Sequence, residues 1–462
     1  MTMAASAHVE MHEELAEFRH RYPQARAVDL LIPDVNGVLR GKRIDIDALD
    51  KVFADGVNLP GSVFGADITG DTAEETGLGF DIGDADQICH AVPGTLAGVP
   101  WHPQPMGQLL LSMYDLEGRP YFADPQHVLA RVLERFKHDF GLTPVVAVEM
   151  EFYLIDRERA ALGAPQPPIS PVTGERERKT QVYGMAEIDD YSAFLADVSD
   201  ACEEQGIPAD TAVAEYAPGQ YEINLHYTPD ALAACAHAIL LKRVVKQVAS
   251  RHAMDATFMA KPYDDRAGSG THVHVSLVDN AGRNVLAGAD ELGSETLRHA
   301  IGGLMATMVE SMALFAPNAN SYRRFRRDNF VPLCPAWAFN NRTTALRIPA
   351  GADHARRVEH RVAGADVNPY LLTAAVLAGI HHGLSQRVDP GEPVQGNAYA
   401  QLEPCLPTTW GEALTALENA EIIPRYLGAD FLRVYLANKY FERERFSYHV
   451  SPLEHEWYLL TV

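Results

Sequence analysis

The chain has 462 residues and a formal net charge of −23 at pH 7, with 47% hydrophobic and 22% charged residues. Such acidity argues against a nucleic-acid partner, and no apolar run approaches the roughly 20 residues that span a bilayer. The length exceeds one ordinary hydrophobic core and predicts two domains, and the composition is that of a soluble globular protein rather than a disordered one.

The five cysteines are scattered and lack CxxC spacing, so neither a disulfide framework nor a thiolate zinc site is expected. The first residues are acidic where a secretion signal would be basic and then apolar. The sequence therefore predicts a soluble cytoplasmic protein with no membrane or nucleic-acid partner.

Residues 1–21 predict an N-terminal helix, amphipathic over 10–21, with Leu15 and Phe18 apolar among charges. Residues 27–33 read as a strand. Asp34-Val35-Asn36-Gly37 follows as a hairpin turn, since Asn-Gly accepts positive φ, and residues 38–44 return as a second strand. Residues 56–108 are rich in Gly, Pro and Asp. With the short apolar runs at 88–92 and 109–113, they suit a small β-rich domain with long loops.

Asp124-Pro125 opens a helix to about residue 138, because Asp caps and Pro fits the first helical position. Polar, Pro-rich residues 156–182 predict a loop. Further helices are expected at about 188–205, 229–252, 294–315 and 368–386, the last opening on Asn368-Pro369. The C-terminal third reads as mostly helical, with Trp410 and Trp457 in its core.

Residues 145–154 (VVAVEMEFYL) alternate as a strand must. Glu149 and Glu151 share one face, about 7 Å apart at ordinary strand rise. Alone, the pair fits a solvated face as well as a metal site. Four later segments repeat the design. Gln220, Glu222, Asn224 and His226 share a face, with Glu215 just upstream. His272, His274 and Ser276 share another, Arg347 shares one with Thr343 and Ala345 after Arg342, and Glu359 shares one with Arg361. Helices covering one side of such a sheet would turn the charged sides toward a common concavity. Five Glu (149, 151, 215, 222, 359) and His272, with no thiolate, suit hard divalent ions, Mg²⁺ or Mn²⁺, and are more than one ion needs. Arginines beside them suggest phosphoryl transfer. The arginines 323, 324, 326 and 327 read as anion-binding residues of that site.

The blocks Glu149-Met150-Glu151-Phe152, Glu215 with Pro218-Gly219-Gln220-Tyr221-Glu222, Gly268-Ser269-Gly270-Thr271-His272-Val273-His274, Asn320-Ser321-Tyr322-Arg323-Arg324, Asn341-Arg342 with Arg347-Ile348-Pro349, and Arg356-Arg357-Val358-Glu359 occur in order. Over nearly the whole chain they resemble the glutamine synthetase family. The resemblance implies an α+β fold. A β-grasp domain (22–116) would follow the helix and precede a catalytic α/β domain (117–462) with a curved antiparallel sheet, in a hexameric ring or dodecamer with shared active sites. It implies ATP, glutamate and an amine as substrates and two or three Mg²⁺ or Mn²⁺ per site. One metal would be held by Glu151, Glu215 and Glu222, the ATP-side metal by Glu149, His272 and Glu359. His274, Ser276 and Arg357 would touch ATP, Arg342 and Arg347 would face its γ-phosphoryl group, and Gly268, Arg324 and Arg361 would hold glutamate.

Departures concern the amine. Ammonia-using members carry Phe-Asp-Gly-Ser-Ser, where this chain has Leu59-Pro60-Gly61-Ser62-Val63, and a flap Glu, where it has Phe330. Losing both anionic groups removes the partners of a small cation and leaves an apolar wall for a carbon chain. The sequence looks most like the γ-glutamylpolyamine synthetase branch. That implies γ-glutamylation of putrescine, spermidine or a related amine through γ-glutamyl phosphate, with ammonia, a monoamine or ethanolamine as the alternative acceptors. Asp67, Asp71, Glu74 and Glu75 are candidates for the distal ammonium.

Overall fold

Two β-sheets organise the chain. The computed structural model describes all residues except Met1, Thr2, Thr180 and Asp328. The first sheet contains β1 (Ala27–Pro33), β2 (Leu39–Asp45), β3 (Val57–Pro60), β4 (Asp86–Ala91), β5 (Ala97–Gly98) and β6 (Gly107–Tyr114). Their order is β2-β1-β6-β4-β3, with β5 against β6, and β1 runs parallel to β6. The predicted hairpin joins β1 to β2. The Asp34 carboxylate accepts from the amides of Asn36 and Val38 at 2.8 and 2.9 Å, and Gly37 takes a φ of 73°.

The second sheet contains β7 (Thr143–Asp156), β8 (Ala209–Ala214), β9 (Gln220–Leu225), β10 (Met254–Thr257), β11 (Thr271–Val278), β12 (Trp337–Phe339), β13 (Leu346–Ile348) and β14 (Val358–His360). The order is β12-β13-β14-β11-β7-β9-β8, with β10 also on β7. It is antiparallel except for β12 with β13. On β7 the apolar set Val146, Val148, Met150 and Phe152 is buried, while Glu149 and Glu151 face the other way into a half-buried space.

Helix Ala231–Arg251 lies against β7 and β10, and helices Glu295–Phe315 and Pro369–Gln386 pack on each other. Both predicted caps form. Asp124 accepts from the Gln126 amide at 2.8 Å, and Asn368 accepts from the Tyr370 amide at 2.9 Å. One buried apolar cluster runs from β1 to the C-terminal helices, Leu15 included. A polar clamp crosses the two sheets' territories. Asp29 of β1 receives Arg43 of β2 at 2.7 Å and Arg243 of helix Ala231–Arg251 at 2.6 Å.

Several predicted elements differ. The helix expected at 188–205 is two helices, Met185–Asp190 and Ser192–Glu204. Tyr191 leaves helical geometry (φ −113°, ψ 21°) and buries its ring 5.8 Å from that of Tyr221. The helix from Pro125 is α-helical to Arg135 and then widens into a π-turn over Phe136–Phe140 before Gly141. The alternating segments expected around Arg347 and Glu359 are strands only over β13 and β14, so Thr343, Ala345 and Arg361 lie outside them. Thr343 turns back on Asn341 instead, its amide accepted by the Asn341 side chain at 3.0 Å. Trp410 is buried as expected, but Trp457 is 55% exposed, on the terminal helix Pro452–Tyr458. No helix among the described residues is long and apolar enough to cross a membrane.

Candidate active site

Strand register assembles the site. Glu359 of β14 lies opposite His274 of β11, His272 of β11 opposite Glu149 of β7, and Glu151 of β7 opposite Glu222 of β9. Arg347 of β13 lies opposite Glu359. Directly opposed residues in antiparallel strands share a face at about 5 Å. The pleat of five neighbouring strands therefore gathers charges that are far apart in sequence.

Glu149 is the hub. One of its oxygens is 3.1 Å from His272 Nδ1, and the other is 2.8 Å from His274 Nε2. Burial alone would raise its carboxyl, but His274 and His272 outweigh that and hold it well below the ordinary range. Glu359, almost fully buried, receives Arg347 at 2.8 Å and also Arg361. Burial opposes its ionisation, yet Arg361 and the two histidines bring its carboxyl down to about 2.

Glu215 and Glu222 behave oppositely. Burial, with Glu149 and Glu151 nearby, pushes Glu222 up to about 9. Burial and the Glu151 charge push Glu215 up to about 8, against the pull of Arg342. Carboxylates this crowded and this short of cations are what a divalent ion neutralises. Ligand atoms of Glu149, Glu222 and His272 lie within 4.8 Å of one another, as do those of Glu149, His274 and Glu359. The donor set, oxygens with imidazole, fits Mg²⁺ or Mn²⁺. Glu222 comes close to Glu149 and His272, His272 also lies 3.8 Å from Glu359, and His274, expected at ATP, joins the acidic cluster.

Beside the cluster, the glycines of Gly268-Ser269-Gly270 allow a close approach. A Cβ on Gly268 would stand 2.6 Å from Arg324 Cγ and 2.7 Å from the Ala260 carbonyl. The Gly270 amide donates to Glu151 at 2.8 Å, and Gln220 donates to both Glu151 and the Gly268 carbonyl, at 3.3 and 3.0 Å. Arg324 is buried and donates to the Val362 carbonyl at 3.1 Å. The Nε groups of Arg324, Arg347 and Arg361 are buried without a partner among the described residues. They are donors suited to an anionic ligand.

The family model described as glutamine synthetase, catalytic domain, matches residues 122–458. Gamma-glutamylputrescine synthetase PuuA of Escherichia coli (strain K12) is 45% identical over 97% of this chain and 94% of its own. The chain belongs to the glutamine synthetase family. Glutamate–isopropylamine ligase of a Pseudomonas species is 34% identical over 92% of this chain and 93% of its own. The solved structure of ligand-free GmaS overlays with a TM-score of 0.81 at 28% identity, covering 96% of this chain and 99% of that one.

As a glutamine synthetase family member, the chain is a ligase that forms carbon–nitrogen bonds, in a family that uses ATP and divalent ions. Arg357 donates to His274 Nδ1 at 3.1 Å, which ties one expected ATP residue to the cluster. Ser276 is two residues further along β11 on the same face, and Arg342 is exposed, its charge acting on Glu215. Of the four arginines at 323–327, Arg324 alone is buried at the cluster. Arg323 donates to the Ala319 carbonyl, Arg326 to the Asp264 carbonyl, and Arg327 to the Tyr399 carbonyl and Glu403.

The expected acceptor residues separate. Phe330 stands at the second sheet, its ring 5.8 Å from that of Tyr216. Pro60 ends β3 of the first sheet, opposite Asp86. Asp67 is buried and fully engaged, accepting from the Thr69 and Asp71 amides at 2.8 and 3.0 Å and from Arg445. Asp71 also pairs with Arg445, and Glu74 accepts from the Phe80 amide. These three hold a loop together rather than offering a free carboxylate. Sequence reasoning missed Asn340, which receives Arg347 at 2.8 Å and lies outside any alternating run.

Proposed function

We propose that this chain joins the γ-carboxyl of glutamate to an alkylamine, putrescine or a related polyamine, at the expense of ATP, in polyamine catabolism in the cytoplasm. Glutamate would attack the γ-phosphoryl group to give γ-glutamyl phosphate, and the amine would displace phosphate. Two supports stand behind the acceptor: similarity along nearly the whole chain to an enzyme named for putrescine, and the aromatic ring at Phe330. The ring carries the assignment. A carboxylate there would attract ammonium, whereas a ring beside Tyr216 suits a carbon chain.

In this reading Arg324, with Arg361 and the Gly268 carbonyl, orients glutamate. Arg342 and Arg347 neutralise charge on the transferring phosphoryl group. Glu149, Glu151, Glu215, Glu222, His272 and Glu359 would hold two or three Mg²⁺ or Mn²⁺. Those ions supply charge neutralisation for the phosphates and the attacking carboxylate. Residues 22–116 form the β-grasp unit and 117–462 the catalytic unit. Pro60 would reach the site of a neighbouring subunit in a hexameric ring or dodecamer.

Phosphate release with putrescine, spermidine, isopropylamine, ethanolamine and ammonium at equal concentration tests the proposal. Preference for a polyamine supports it. Preference for a monoamine or ethanolamine moves the acceptor within the same chemistry, and strong activity with ammonium alone overturns the acceptor assignment.

A further inference from the structure

Two open aromatic rings stand at the edge of the acidic face. Tyr216 follows Glu215 in the turn between β8 and β9, and its amide donates to the Glu215 carboxylate. Its ring is tilted by 32° to that of Phe330 at 5.8 Å. The two side chains are 55% and 46% exposed. Water-facing aromatic pairs are unfavourable to leave uncovered, and here the backbone adopts a strained form to keep one. Phe330 has a φ of 52°, a left-handed conformation that bulky side chains rarely adopt. The chain just beyond is pinned. The Tyr399 hydroxyl donates to the Val331 carbonyl at 3.0 Å, and the Cys405 amide to the Leu333 carbonyl at 2.9 Å. The ring is thus presented by the fold.

An alkylamine arrives as an ammonium group on a carbon chain. With its nitrogen directed into the acidic face, its first methylenes pass the lip that these rings form. Ring faces attract the cation and cover the chain, two contacts that bare ammonium cannot both make. We propose that Tyr216, acting as a pair with Phe330, is the specificity residue that favours an alkylamine over ammonium. The inference rests on the alkylamine reading above and adds the residue that enforces it.

The test is steady-state phosphate release by the full-length enzyme carrying Tyr216→Ala, Tyr216→Phe, Phe330→Ala or both alanines. Putrescine, n-butylamine and ammonium serve as acceptors at saturating ATP and glutamate. In Tyr216→Ala, kcat/KM for both amines should fall on the order of tenfold, through KM, with Tyr216→Phe close to wild type. KM for glutamate and kcat/KM for ammonium should hold, and ammonium in the same variant serves as the control for folding. The double alanine variant should lose little more than either single one, because the rings act together. An equal loss for ammonium and amines, or no loss at all, overturns the role of Tyr216 while the alkylamine reading stands. A wild-type enzyme inactive with every amine overturns both.

Discussion

His272 and Glu149 face each other across β11 and β7, with His272 Nδ1 3.1 Å from the Glu149 carboxylate. Neither is near the other in sequence, and each also serves a second neighbour. Glu149 is shared with His274, and His272 lies 3.8 Å from Glu359. The contact ties β11 to β7 within the acidic cluster.

The first expectation concerns protons. With no ion bound, Glu215 and Glu222, raised to about 8 and about 9, are protonated at neutral pH. A divalent ion needs them ionised, so binding should release about one to two protons, and affinity should rise with pH. Titration calorimetry at pH 7 in two buffers of different ionisation enthalpy reads this directly. Identical apparent enthalpies would contradict it. Chelation should also abolish phosphate release and lower Tm, since ions that bind only the folded chain stabilise it.

The Gly268 backbone is packed against Arg324, with no room for a side chain. Gly268→Ala should displace Arg324 and raise KM for glutamate by roughly 10- to 100-fold, with KM for ATP little changed. Kinetics with each substrate varied in turn would separate the two, and an equal rise in both would point to general distortion.

Asp29 joins the two sheets' territories through Arg43 and Arg243. Burial alone would raise its carboxyl, but the arginines hold it below the ordinary value of 3.8. A depressed value contributes stability above the unfolded pKa, lost as pH falls through the folded one. Asp29→Asn should therefore cost about 2 kcal/mol at pH 7, discounted for the half-exposed Arg43, and less below pH 3. Urea melts of both proteins across that range would show the gap closing.

The terminal helix presents Leu453, Trp457 and Tyr458 to solvent, and Leu459 and Leu460 follow it, also exposed. Deleting residues 452–462 should lower the mass of the assembly while phosphate release per chain persists. Light scattering decides, and an unchanged mass would mean that this surface is not an interface.

Legibility followed chemistry. Strands with period-two alternation and a charged face were readable because the pattern is local, and Glu149, Glu222, His272 and Glu359 landed together for that reason. Helix starts at Asp124 and Asn368 were readable from cap chemistry. The break at Tyr191 was not, because it depends on where Tyr221 places its ring. The grouping of Glu222 with Glu149 and His272 depends on strands 50 to 123 residues apart in sequence, and the engagement of Asp67 by Arg445 on a partner 378 residues away. Trp457 misled because an apolar side chain in sequence looks alike in a core and on a surface.

Phe330 sits in an irregular loop, off the ladder of hydrogen bonds that fixes β7, β9, β11 and β14. A one-residue change in those strands would scatter the cluster, since register sets every neighbour. A change at position 330 alters no register. On the proposed reading, evolution can therefore exchange the acceptor without disturbing the machinery that activates glutamate. One scaffold can then diversify into ligases for many amines by editing a few loop positions.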